Sequence, residues 1–234
     1  MVYVPKIYDW RYDCAPIDQV FRAGGTSTPG GMTVGGFATA TPEVGGRYEV
    51  MMNFAPFAAE AANLNASWTV SRILNSAIMR VRLYKTVQLV AASAITGADV
   101  ENGIPWANDE PWANGENWAW SPSSPITNPA GRGAEMFTAD LSDIGPVLKI
   151  GHVIGFQSGG YDFAHTIMDI EYDGADVATV TVSPPLRRGL TTDDRLLYRP
   201  AVMVTCINAR EVAGNFASGR HMQFGSAQFV EALL

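Results

Sequence analysis

Cysteine is nearly missing from this chain. Only Cys14 and Cys206 occur among 234 residues. They lie far apart and form no CxxC pair, so nothing points to a disulfide framework, and two reduced, mostly buried thiols are expected. Histidine is almost as scarce. His152, His165 and His221 sit in no HExxH pattern and have no cysteine or carboxylate at ligand spacing, so no metal or cofactor site is expected. Lysine is absent from the glycine-rich stretch AGGTSTPGGMTVGG, which starts at Ala23, and a phosphate-binding loop is thereby unsupported. Ser158-Gly159 follows Gly155-Phe156-Gln157, so the GxSxG elbow of hydrolases is missing as well.

Other absences narrow the partners. Basic residues number 16 against 23 acidic ones, a formal net charge of −7. Arg187 and Arg188 are adjacent but make no basic face, so no specific nucleic-acid partner is expected. No run of about 18 apolar residues occurs, and no membrane-spanning helix is expected. The opening MVYVPKIYDWRYD carries charges where a secretory signal would be apolar, and it reads as mature protein. Asp99, Glu101, Asn102, Asp109 and Glu110 crowd one region but spell no calcium loop. Asp169 and Glu171 alternate on one strand face, and Asp193-Asp194 are adjacent. The bland reading, solvated carboxylates, is preferred to paired acid–base catalysis in both cases.

What the sequence does have is punctuation. Twenty-three glycines and fourteen prolines fall between apolar runs in a chain that is 47% hydrophobic, the pattern of many short strands joined by turns. Residues 1–45 read as a glycine-rich arm, and 46–234 as a β-rich body. Tyr48, Val50, Met52 and Phe54 alternate with polar neighbours and predict a half-buried strand. Between about residues 59 and 75 the period becomes helical. Ala66, Val70, Ile73 and Ala77 share a stripe, with Leu74 expected inward beside them and Trp68 at its edge. Met79, Val81 and Leu83 then alternate with Arg80, Arg82 and Tyr84, so the helix feeds directly into a strand ending near Val87. Asp173-Gly174 between two alternating runs predicts a hairpin. AVMVTCI and a segment from about Met222 to Glu231 complete the set. The expected fold is mainly β with one principal helix, an α+β chain of about eight strands in sandwich-like or barrel-like modules.

Residues 98–132 are the least regular. This stretch holds Trp106, Trp112, Trp118 and Trp120 among prolines and Asn-Gly turn signals. A loop this long inside a domain is usually functional, and its aromatic content argues against plain disorder. Clustered aromatics mark contact surfaces. These four tryptophans are therefore the candidate site, as a protein interface or, alternatively, as a stacking platform for a glycan.

The C-terminal half carries a resemblance. A glycine-led strand at GHVIGF is followed by a hairpin ending in VTVSPPLRRGL, then YRPAVMVTCIN, then FGSAQFVEAL. The ordered positions Pro184, Pro185, Leu186 and Arg187, then Arg199 and Pro200, then Phe229, Val230, Glu231 and Ala232 resemble a β-module of tail proteins from tailed bacteriophages and gene transfer agents. The helix-to-strand passage IMRVRLYK is similar to the middle of such proteins. The likeness spans about two-thirds of the chain. It implies a non-enzymatic virion component assembled in the host cytoplasm. The closest type is a distal tail protein, a ring-forming adaptor between the tail tube and the tip, baseplate or fibres. The partners so implied are further copies of itself, in six-fold or a smaller matching order, and neighbouring tube, hub or fibre proteins. A glycan-binding, receptor-recognising module is the competing expectation.

The tryptophan loop yields the first test. Each aromatic side chain can bury roughly 150–250 Å², too much apolar area to leave in water. Changing Trp112 and Trp118 to Ala is expected to leave the isolated subunit folded, by circular dichroism, while weakening tail assembly. Unfolding of the double variant would show instead that the loop packs on its own domain.

Overall fold

The computed structural model describes residues 6–11, 14–23, 27–32, 38–42, 46–57, 59–83, 123–142, 144–174, 176–213 and 224–233. The chain divides into two compact units, one discontinuous (Met1–Tyr84 with Ala201–Leu234) and one continuous (Lys85–Pro200). Both are built on strands, and the chain is mainly β.

In the discontinuous unit the strands are β1 (Ile7–Asp9), β2 (Asp18–Ala23), β3 (Ser27–Met32), β4 (Ala38–Pro42), β5 (Tyr48–Asn53) and β6 (Ile78–Arg82). Helix α1 (Glu60–Leu74) lies between β5 and β6. The continuous unit supplies β7 (Ser123–Asn128), β8 (Met136–Asp140), β9 (Val153–Ser158), β10 (Tyr161–Tyr172), β11 (Val177–Ser183) and β12 (Arg195–Leu197). The chain then returns to the first unit with β13 (Ala201–Cys206), a short helix α2 (Ala209–Ala213) and β14 (Ala227–Glu231).

The first unit holds a six-stranded sheet in the order β1-β6-β13-β14-β5-β2. The β1–β6 pair is parallel, and the others are antiparallel. Strands β3 and β4 pair with each other as a separate hairpin. The strict alternation expected for β5 is present, with Tyr48, Val50 and Met52 buried and Met51 exposed. In β6, Met79 and Val81 are buried and Arg82 is exposed. β6 stops at Arg82, short of the expected Val87. Its partner β13 begins at Ala201, paired with Arg82. Pro200 before it has no N–H to extend the ladder.

Helix α1 buries Ala62, Ala66, Thr69, Val70 and Ile73. Leu74 does not join them and is 47% exposed. Successive helical residues turn by about 100°, so once Ile73 occupies the centre of the stripe its neighbour must point away. The helix ends where Ser76 turns left-handed at φ 55°, and the N–H groups of Ser76 and Ala77 close on the carbonyls of Ile73 and Arg72. An aromatic cluster lies within the same unit. Phe224 stands 5.0 Å from Phe54, 5.1 Å from Phe57 and 6.1 Å from Trp10 between ring centroids, all near edge-to-face. Trp10 keeps its indole satisfied by donating to the Cys14 carbonyl at 2.9 Å.

The second unit is a closed barrel in the order β10-β11-β8-β7-β12-β9. Its interior is filled by Ile126, Phe137, Ile154, Phe156, Val180 and Leu196 among others. The Asp173-Gly174 hairpin joins β10 to β11. Asp173 donates its N–H to the Val177 carbonyl and accepts the Val177 N–H on its side chain, both at 2.9 Å. Asp176 takes the positive φ of 59° that this turn requires. One pattern differs from simple alternation. Continuous alternation puts Ile167 on the face of Asp169 and Glu171, but a bulge between Ile167 and Asp169 resets the register. Ile167 is buried with Ile170 packed beside it, while Asp169 and Glu171 point outward. An extra residue flips every later side chain to the other face.

More of the chain forms strands than its apolar alternation predicts. Ile7–Asp9 and Asp18–Ala23, expected within a glycine-rich arm over 1–45, are members of the main sheet. Ser123–Asn128, expected within the loop over 98–132, is a barrel strand. Its sequence SSPITN has little apolar alternation because Ser124 is buried through a hydroxyl contact with Tyr198 at 2.7 Å. Burial by a hydrogen bond leaves no hydrophobic period to detect.

Gly155 gives a direct test of barrel packing. A Cβ at this position would lie 2.6 Å from Pro200 Cβ and 2.9 Å from the Phe163 carbonyl oxygen. Neither neighbour is a flexible side-chain end. Gly155→Ala is expected to destabilise the fold by roughly 1–3 kcal/mol, as overpacking of a filled core does, measured by urea unfolding.

Candidate interaction surfaces

Trp106, Trp112, Trp118 and Trp120 lie outside the described residues, as do His221 and the Asp99–Glu110 carboxylates. The structure brings together a different set. On the first unit, β1 and the second half of α1 place rings and cations in alternation. Lys6 Nζ stands 5.3 Å from the Tyr8 ring centroid, and Arg72 Cζ 4.5 Å from the same ring. Arg72 is also 5.3 Å from the Trp68 ring, over which Arg11 Cζ sits at 4.4 Å. Tyr8 and Trp68 meet edge to face at 5.7 Å.

Sequence logic places Trp68 and Arg72 one helical turn apart on one flank of α1, and the parallel β1–β6 pairing brings Tyr8 beside them. Each exposed cation–π contact contributes roughly 0.5–1 kcal/mol, and together they hold three positive charges in fixed positions. Lys6 and Arg11 are exposed, and Arg72 is half-buried. Among the described residues the ion pairs are Arg22–Glu49 and Arg80–Asp9, and none of the three ladder cations forms an ion pair with a described carboxylate. No motif search finds such a ladder, because its members come from two segments far apart in the chain. The one local signal was Trp68 at the edge of the apolar stripe.

The barrel presents the opposite sign. Outward positions of β10 carry Asp169 and Glu171, which face Thr181 and Thr179 of β11. Those threonines in turn face Met136 and Thr138 of β8, and Asp140 lies opposite Val177. β8, β10 and β11 contain no lysine or arginine. Hydrogen bonding to Ser142 holds the Asp140 carboxyl below its usual range, so it stays charged. Met136 and Met168 are more than half exposed on these strands.

The polar groups inside the barrel serve structure. His165 is buried, with Nδ1 2.7 Å from the Pro184 carbonyl oxygen. The Tyr172 hydroxyl donates to the Leu148 carbonyl at 2.9 Å. Burial pushes the Tyr198 hydroxyl above its ordinary range despite its contact with Ser124. Asp194, beside Asp193, accepts the N–H and hydroxyl of Thr191 and closes a turn. Cys14 is buried and Cys206 half-buried; both are free thiols. Burial raises the Cys206 thiol, which makes it a weak nucleophile. Among the described residues no group of three His, Cys, Asp or Glu side chains is placed to hold a metal ion. Nor, among them, is any helix long and apolar enough to cross a membrane.

His152 offers a pH test. Its Nδ1 accepts the Lys149 N–H at 3.2 Å. Burial first, and the Lys149 charge second, lower its pKa from the ordinary 6.5. The unfolded chain therefore takes up this proton first as pH falls, so the contribution is present above the ordinary pKa and is lost below it. Between about pH 7 and pH 5 the wild-type melting temperature should fall more steeply than that of His152→Gln. Parallel slopes in thermal melts would show that His152 is not responsible.

No protein-family model matches this chain, and no curated protein sequence matches it at a significant level.

Proposed function

We propose that this chain is a structural component of a bacteriophage-type tail, of the distal tail type: a non-enzymatic subunit forming a ring that joins the tail tube to the tip, baseplate or fibres. The ordered C-terminal positions that resemble tail proteins carry the reading, and the roles of those residues are consistent with it. Leu186 fills the barrel core, and Pro200 is the surface against which Gly155 closes. Phe229 and Glu231 are buried in the sheet, where a Glu231 carboxylate oxygen accepts the Tyr48 N–H at 3.0 Å. The motif positions thus serve the framework, as expected of an assembly protein whose work is done by its surfaces.

Charge supports the same reading. The discontinuous unit carries nine basic and eight acidic side chains, net +1, while the barrel unit carries seven basic and fifteen acidic, net −8. A subunit so polarised is suited to head-to-tail contacts, the kind that close into rings.

Multi-angle light scattering and negative-stain electron microscopy test the proposal. The purified chain, alone or mixed with tail-tube and hub proteins, is expected to give closed rings of defined order. A particle in which the chain is present as isolated single copies would overturn the assignment. A positive glycan-array signal from a strictly monomeric chain would replace it with the receptor-binding alternative.

A further inference from the structure

We infer that the junction between adjacent copies is electrostatic. The cation–aromatic ladder of Lys6, Tyr8, Arg72, Trp68 and Arg11 on one copy docks on the acidic β8–β11–β10 face of the barrel of the next. This inference rests on the ring reading above and identifies the two surfaces that would make the ring.

The ladder fits an acidic, partly apolar partner. Its cations are held by rings at 4.4–5.3 Å, so little side-chain freedom remains to be lost on binding. Arginine stacked on an aromatic ring keeps its planar N–H edge free to take carboxylates in pairs. The ring faces and edges left half-exposed add an apolar component. Tryptophan, tyrosine and arginine are the residue types that dominate binding hot spots.

The chain carries its own complement to this surface. On the outer barrel face Asp140, Asp169 and Glu171 stand among threonines on strands without a basic residue. Met136 and Met168 are 56% and 55% exposed there, and methionine packs adaptably against aromatic rings. A chain of net charge −7 repels its own copies unless opposite charges are segregated. Here the acidic excess lies in the barrel unit while the sheet unit is near neutral and carries the cation ladder, so complementary patches steer the encounter. The two surfaces are different patches of one molecule, so the contact is heterologous and leaves one of each free for the next copy.

Neutralising variants test this. Arg11→Gln with Arg72→Gln removes two ladder charges, and Asp169→Asn with Glu171→Gln removes two from the barrel face. Sedimentation velocity at low and high ionic strength should show wild-type assembly weakening with salt. Each variant alone should dissociate at concentrations roughly tenfold or more above wild type. Mixed one to one, each variant still has the surface the other lacks. The mixture should therefore form a discrete two-chain species that grows no further. Lys6→Gln, at an exposed position, gives a smaller loss in the same direction and serves if the double arginine variant fails to fold. Folded variants that assemble like wild type would overturn the inference and leave the ring reading standing. A wild-type chain that stays single at all concentrations and in its particle would remove both.

Discussion

The antiparallel ladder between β6 and β13 is the constraint on which the rest of this structure depends. It pairs Arg82 with Ala201 and Met79 with Val204, joining residues separated by the whole barrel. Met79, Val81, Val202 and Val204 are all fully buried, so hydrophobic burial and backbone hydrogen bonds act at the same four positions. Without this pairing the sheet separates into β1-β6 and β13-β14-β5-β2. Closing so long a loop costs entropy that grows only slowly with length. An inserted domain with its own core reduces that cost further, because the intervening chain is already compact. The closed barrel has such a core.

The two units differ in what they leave at the surface. The sheet unit holds Lys6, Arg11 and Arg72 against rings supplied by β1 and α1, while the barrel turns carboxylates and threonines outward from three neighbouring strands. Each arrangement follows from its local structure. A helix brings residues four apart onto one flank, and a strand sends alternate residues to one face. The bulge in β10 matters to the second surface. It keeps Ile167 in the barrel interior while placing Asp169 and Glu171 outside.

The candidate surfaces were legible in the sequence only in part. Asp169 and Glu171 were readable as alternating carboxylates, yet β8 and β11, which flank them without a basic side chain, are distant in sequence or across a turn. The ladder was not legible, since Lys6, Tyr8, Arg11, Trp68 and Arg72 belong to no common period. The tryptophan-rich stretch lies outside the described residues, and the aromatic–cation contacts of the ladder involve Trp68, a single tryptophan on a helix. Composition locates aromatic residues, but pairing them with cations requires the parallel β1–β6 contact.

Periodicity by itself determined the elements with apolar alternation. Tyr48–Asn53, Ile78–Arg82, Val177–Ser183 and Ala201–Cys206 are strands, and Glu60–Leu74 is the long helix, because side-chain burial repeats every two or about 3.6 residues. The Asp173-Gly174 turn was equally readable, since Asp-Gly between two alternating runs is a strong hairpin signal. Tertiary structure decided the remainder. Strands such as Ser123–Asn128 and Ile7–Asp9 exist because neighbours satisfy their backbone groups, and their short, mixed sequences carry no period of their own. Which strands close a barrel, which complete a discontinuous sheet and which charges meet on one face are matters of long-range pairing. That pairing is set by the joint burial of residues far apart in the chain, and no local pattern encodes it.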